Sequence, residues 1–135
     1  MREFSVNTRA RREFVDITPQ VREAVAASRV HEGLCVVYCP HTTAAITINE
    51  HADPDVVRDL AAALARLVPR SGDYHHVEGN SDAHIQSSML GVSQTLIVHE
   101  GGLVLGTWQG VFFCEFDGPR QRKFFVKVIS EKGES

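Results

Sequence analysis

No apolar run in this 135-residue sequence is long enough to cross a bilayer, and no hydrophobic stretch follows the opening Met1-Arg2-Glu3-Phe4-Ser5. These two absences exclude a membrane span and a secretory signal, so a cytoplasmic protein without a membrane partner is expected. Cysteine is scarce. Cys35, Cys39 and Cys114 are odd in number and each lies in an apolar run, which excludes a disulfide framework and fits buried thiols in a reducing compartment. A clustered basic excess is missing too. The formal net charge is −3 and Lys and Arg are scattered, apart from Arg9, Arg11 and Arg12, a run that reads as a solvated strand edge. Nucleic acid is therefore not an expected partner. Repeats, linkers and low-complexity tracts are also lacking. A single domain over residues 1–135 follows, long enough to form a core without staples.

What is present is a mixture of strand and helix signals. Phe4 to Thr8 and Glu13 to Ile17 read as an opening pair of strands. Thr18-Pro19 predicts a helix start with Thr18 as the cap and Val21, Ala24, Val25 and Ser28 on one face. Leu34 to Cys39 and Ala44 to Ile48 read as strands. Asp53-Pro54 opens the clearest helix, in which Val56, Val57, Leu60, Ala61, Leu64, Leu67 and Val68 recur at helical spacing until Pro69. Residues 70–82 form a long polar loop, a place where function concentrates. Asp82 is placed to cap a helix from Ala83 to Leu90, with Gly91 ending it. Thr95 to His99, Leu103 to Leu105, Val111 to Phe116 and Lys123 to Ile129 are strands, with Gly101-Gly102 and Asp117-Gly118-Pro119 as turns. Without strict βαβ alternation, the expected class is α+β: mixed, largely antiparallel sheet with two to three helices.

Three histidines stand in polar contexts: His41 in Pro40-His41-Thr42-Thr43, His76 in the polar loop and His84 at a helix start. Glu50, Asp53, Glu78, Asn80 and Asp82 lie around them in sequence. Three imidazoles with an open fourth position are the plan of a catalytic divalent site, and the carboxylates can orient the rings. The same residues can equally be three separate, hydrogen-bonded histidines, with Thr42 and Thr43 holding the ring of His41. His31, His51, His75 and His99 read as solvated. The helix starts at Asp53 and Asp82 can bind anions through free N–H groups, or be capped by those carboxylates. Arg120 can clamp a phosphate or remain a surface charge. In Gly106-Thr107-Trp108-Gln109-Gly110, Trp108 can stack on a flat ligand or join the core, and Gln109 can offer its amide. Val111, Phe113 and Glu115 share one strand face and Phe112, Cys114 and Phe116 the other. Glu115 is then a lone charge needing a wet edge, an Arg such as Arg120, or a site.

Four blocks carry a resemblance. His41-Thr42-Thr43-Ala44-Ala45-Ile46-Thr47-Ile48-Asn49-Glu50, then Asp53-Pro54-Asp55-Val56, Tyr74 to Ile85, and Leu105 to Arg120 closely resemble the YjbQ-like family, also called secondary thiamine-phosphate synthase. The resemblance covers nearly the whole chain from Gly33 onward. Asn80-Ser81-Asp82 is shorter than the matching stretch of many relatives, and His75 matches no family position. The resemblance implies a homotrimer with sites near subunit boundaries. It implies a metal or anion site on His41, His76 and His84, with zinc or magnesium as the ion. It also implies an activity, main or secondary, that joins a pyrimidine diphosphate to a thiazole phosphate and releases pyrophosphate. On that reading Glu50, Glu78 and His84 are catalytic, and Asp53, Asn80, Trp108, Gln109 and Arg120 bind the phosphorylated substrate. A metal-dependent hydrolase and a non-catalytic trimeric binder of a phosphorylated metabolite are the rival readings.

Overall fold

The computed structural model describes residues 1–132. Within them run β1 (Arg2–Asn7), β2 (Glu13–Asp16), α1 (Thr18–Ser28), β3 (Gly33–Tyr38), β4 (Ala44–Glu50), α2 (Pro54–Leu67), α3 (Ser81–Leu90), β5 (Ser93–His99), β6 (Gly102–Leu103), β7 (Gln109–Glu115) and β8 (Gln121–Ser130). The class is α+β, as the mixed signals imply. One sheet has the order β1-β8-β3-β5-β6 and the other β2-β7-β4, and the pairings are antiparallel.

The two sheets pack face to face. Alternation on β7 shows why: Val111 and Phe113 point into the inter-sheet core with Val37, Ile46, Phe124 and Val126. Phe112, Cys114 and Phe116 point to a second core against Ala45, Leu64 of α2 and Ala83 of α3. The small sheet is thus buried on both faces, as the apolar content of β7 demands. Helix α1 adds Val21, Ala24 and Val25 to the first core. The three thiols are free and buried. Burial pushes Cys35 up to about 11 and, with the neighbouring Cys39 adding to it, raises Cys114 further, so they behave as small apolar side chains.

Several local expectations change. The first two strands do not pair with each other: β1 joins β8 and β2 joins β7, because the chain crosses from one layer to the other between them. Thr18 does not cap α1. Its hydroxyl accepts the Val111 N–H at 2.8 Å, while its own N–H is taken by Asp16 Oδ1 at 2.9 Å. Asp82 does not cap α3 either. It lies inside the helix, fully buried, with Arg11 bonded to both of its oxygens at 3.2 Å. Arg12 donates to Gln86 and approaches Asp82 at 3.9 Å, so this pair of arginines is a clasp and not a solvated edge. Asp53 does cap α2, accepting from the Asp55 N–H at 2.9 Å. Of the α2 stripe only Leu64 is buried within the helix, and Leu67 remains 71% exposed, since the helix leans on the outer layer by a narrow contact.

Candidate functional site

Three chain junctions meet at one end of the sandwich. The first is the passage from β3 to β4 through Pro40-His41-Thr42-Thr43, the second the β7–β8 turn, and the third the start of α3. They enclose a pocket of about 340 Å³. His41, Thr42 and Thr43 line it from the first junction, Asp117, Arg120 and Arg122 from the second, and Glu78, Asn80 and His84 from the third.

A buried ion pair forms the floor. Glu115, fully buried, takes Arg122 on both carboxylate oxygens, at 2.8 Å from Nε to Oε1 and through Nη2 to Oε2. Arg122 Nη2 also donates to Thr43 Oγ1 at 2.8 Å, and Thr8 Oγ1 donates to Glu115 Oε1 at 2.8 Å. Burial drives the Glu115 carboxyl up, but the bonds from Arg122, the Asp117 N–H and Thr8 outweigh it and leave the carboxyl below its ordinary range. The partner of the lone charge on β7 is therefore Arg122 and not Arg120. Arg120 instead folds back on Asp117, at 2.7 Å from Nε to the carbonyl and 2.8 Å from Nη2 to Oδ2. Asn80 Nδ2 reaches the same Oδ2 at 2.9 Å, tying α3 to the turn. A Cβ at Gly118 would sit 2.4 Å from the Ala10 carbonyl and 2.8 Å from Glu115 Cγ, so only glycine lets the turn lie this close to the carboxylate.

His41 is held from the sheet. The Lys123 N–H donates to its Nε2 at 3.0 Å, so the main chain orients the ring and Thr43 serves Arg122. Burial and the nearby Arg122 charge lower the pKa of His41, which favours the neutral ring. His84, on the first turn of α3, lines this pocket and two neighbours. One is a depression of about 400 Å³ with Tyr74, His76 and Ile85, where the His76 and His84 rings stand edge to face at 5.4 Å. The other is a cleft of about 630 Å³ with Tyr38, Pro40 and Val92, shared with His41. His76 Nε2 lies 3.7 Å from Glu78 Oε2. Helix α3 has no side-chain cap: the Asn80 carbonyl takes the Ala83 and His84 N–H groups, and those of Ser81 and Asp82 remain to meet an anion, whereas Asp53 occupies the start of α2.

The fold brings together His41, Glu78, Asn80, His84 and Arg120, with His76 next door. It does not bring Glu50, Asp53, Trp108 and Gln109 to them within the chain. Those four lie at the opposite end of the β4–β7 pair, where Glu50 faces Gln109 in register. The six steps from Ala44 to Glu50 span about 20 Å at strand rise. Trp108 is 61% exposed and outside the core, and Gln109 Oε1 accepts the Gly106 N–H at 2.8 Å, closing its own turn. His51 is not simply solvated there: its Nδ1 sits 2.9 Å from Asp16 Oδ2. Among the described residues, no three His, Cys, Asp or Glu side chains come together in a geometry able to hold a metal ion.

Sequence reasoning missed Arg122 and Thr8, read Asp117 only as a turn residue, and gave Thr43 to His41 where it serves Arg122. A signal for Arg122 existed: it shares the inward face of β8 with Phe124 and Val126, a lone charge on an apolar period-two face that mirrors Glu115.

Residues 2–131 match the family described as UPF0047 protein YjbQ-like. The chain is 54% identical to UPF0047 protein MJ1081 of Methanocaldococcus jannaschii, over 96% of this chain and 94% of that one. It is 45% identical to UPF0047 protein YugU of Bacillus subtilis, over 96% and 98%. A crystal structure of a YjbQ/UPF0047 family protein from Clostridium acetobutylicum superposes with a TM-score of 0.94 at 56% identity, covering 96% of this chain and all of that one. A YbjQ-like protein from Sulfolobus solfataricus gives 0.93 at 35% identity, covering 96% of each. With the matched blocks spanning the β3–β4 passage, α3 and the β7–β8 turn that build the pocket, the chain belongs to the UPF0047, YjbQ-like family.

Proposed function

We propose that the pocket between His41, Asn80, His84 and Arg120 binds a phosphorylated small molecule. We further propose that the chain transfers a pyrimidine-bearing group from a diphosphate to a thiazole phosphate, as a thiamine-phosphate synthase does. The observation that supports this reading is the meeting, in one pocket, of an arginine with an unpaired Nη1 and two imidazoles, with the start of α3 beside them. Each of these favours an anion. In the reaction the bond to the diphosphate breaks with its electron pair leaving on pyrophosphate, and the thiazole phosphate bonds to the carbon left behind. Arg120 and the α3 N–H groups stabilise the charge that grows on the leaving group. His84, at the junction of the three depressions, donates a proton to it. The cleft bordered by Tyr38 and Val92 and the depression bordered by Tyr74 and Ile85 offer apolar walls for two ring systems.

The direct experiment is an assay of purified protein for thiamine phosphate. His84→Ala is expected to lower turnover by about 100-fold, the usual worth of a general acid. Unchanged turnover in both His41→Ala and His84→Ala removes the imidazoles from the mechanism. Tight phosphate-ester binding without turnover leaves the non-catalytic binder. The same reading includes a homotrimer, supported by the uncovered outer face of the five-stranded sheet, and a cytoplasmic location, supported by three buried free thiols.

A further inference from the structure

The family resemblance implies a metal or anion site on His41, His76 and His84, and the donor geometry does not fit a metal. The β3–β8 pairing ends at Tyr38 opposite Phe125, before it reaches Lys123. The Lys123 N–H therefore has no strand partner on that side, and it donates to His41 Nε2 at 3.0 Å. An amide N–H only donates, so Nε2 must supply the lone pair and the neutral ring carries its proton on Nδ1. A metal needs a nitrogen lone pair. That of Nε2 is taken, and Nδ1 bears hydrogen. Turning the ring to free Nε2 would give up this 3.0 Å bond from the Lys123 N–H. His76 and His84 approach each other, but no third ligand joins them among the described residues. The orphaned acceptor at this pocket, Asn80 Oδ1, is a single amide oxygen.

We propose that His41 is not a metal ligand but a neutral hydrogen-bond donor, offering Nδ1–H to an oxyanion of a phosphorylated ligand with its tautomer set by the Lys123 amide. The ligand in this statement rests on the function proposed above; the tautomer and the absence of a metal bond do not. No protein group among the described residues bonds to Nδ1, and the ring borders both the polar pocket and the apolar cleft. The ring thus stands between the pocket that Arg120 lines and the apolar cleft.

Histidine-labelled protein gives the first test through long-range nitrogen–proton NMR correlations near neutral pH. Nδ1 of His41 is expected to read as the protonated nitrogen and Nε2 as the bare one; the reverse pattern overturns the proposal. Zinc added alone is expected to leave the His41 nitrogens unshifted, and a coordination shift there overturns it. Calorimetry with inorganic pyrophosphate on chelator-treated protein gives the third arm. His41→Asn keeps an N–H near the Nδ1 position and is expected to bind within about threefold of the parent. His41→Gln moves the N–H to the Nε2 position and is expected to bind at least about tenfold more weakly, the worth of one hydrogen bond to a charged group. Equal affinity in the two variants, or binding that appears only with added metal, overturns the donor role. Absence of pyrophosphate binding by the parent, with the ring spectrum as expected, overturns the phosphorylated ligand and the function proposed above, while the tautomer stands.

Discussion

At the scale of residues, the buried Glu115–Arg122 pair governs the pocket floor. Each charge has lost water and is compensated by the other and by Thr8 and Thr43. Removing one member leaves a bare charge in the core. Glu115→Ala is expected to cost about 3–5 kcal/mol of unfolding free energy in urea titration. The double change Glu115→Leu with Arg122→Met should recover most of that, because no unpaired charge is left behind. The pair also sets a pH dependence. The folded carboxyl of Glu115 lies below its ordinary value, so the unfolded chain binds its proton more readily. The stability it contributes is complete above the unfolded value, about 4.3, and is lost as pH falls through the lower folded value. Urea midpoints followed from neutral pH into acid should fall in the parent and fall less in the double variant.

At the scale of elements, α3 is held by polar clasps and not by an apolar stripe. Gln86, fully buried, donates through Nε2 to the carbonyls of Leu64 at 3.3 Å and Val68 at 3.0 Å, so it satisfies the last turn of α2. Ser87 Oγ reaches the Ala44 carbonyl at 2.6 Å, pinning α3 beside the first residue of β4. Asp82 and Gln86 in turn receive Arg11 and Arg12. This arrangement fixes the azimuth of the helix, and with it the direction of His84 into the pocket. Gln86→Leu keeps much of the volume but takes a partner from the Val68 carbonyl and from Arg12, and leaves the Leu64 carbonyl with the Val68 N–H alone. A loss of about 1–3 kcal/mol is expected, with faster hydrogen exchange concentrated in the last turn of α2; protection unchanged there would show that water replaces the amide without cost.

At the scale of the whole molecule, the five-stranded sheet buries one face and leaves the other open. On that open face Leu34, Tyr38, Ile97 and Ile129 are exposed, with Leu34 opposite both Ile97 and Ile129 in register. The homotrimer proposed above would cover this apolar band. Light scattering is expected to give three times the 14.9 kDa chain mass, and Ile97→Lys to give a single chain that keeps its fold; a monomeric parent would end the trimer reading. Much of the architecture was readable in the amino-acid order. Val111 to Phe116 was readable as a strand with apolar residues on both faces, and Asp53-Pro54 as the start of a helix, because both signals are local. The His41, Asn80, His84 and Arg120 grouping was legible as candidate residues but not as a set separated from Glu50, Trp108 and Gln109. Order along the chain separates His41 from Glu50 across β4, but it does not say which of those ends Asn80, Arg120, Trp108 and Gln109 join; the β4–β7 register decides that. The pairing of Glu115 with Arg122, the clasp of Arg11 and Arg12 on Asp82, and the capture of His41 Nε2 by the Lys123 amide were beyond reach for the same reason. Each joins groups from different elements, and each exists only once register and layer packing decide which polar groups are stranded away from water. The sequence by itself determined the elements, the two faces of β7 and the burial of the thiols, through periodicities that act over a few residues. Tertiary structure alone decided which charges met and which nitrogen of His41 a main-chain N–H took.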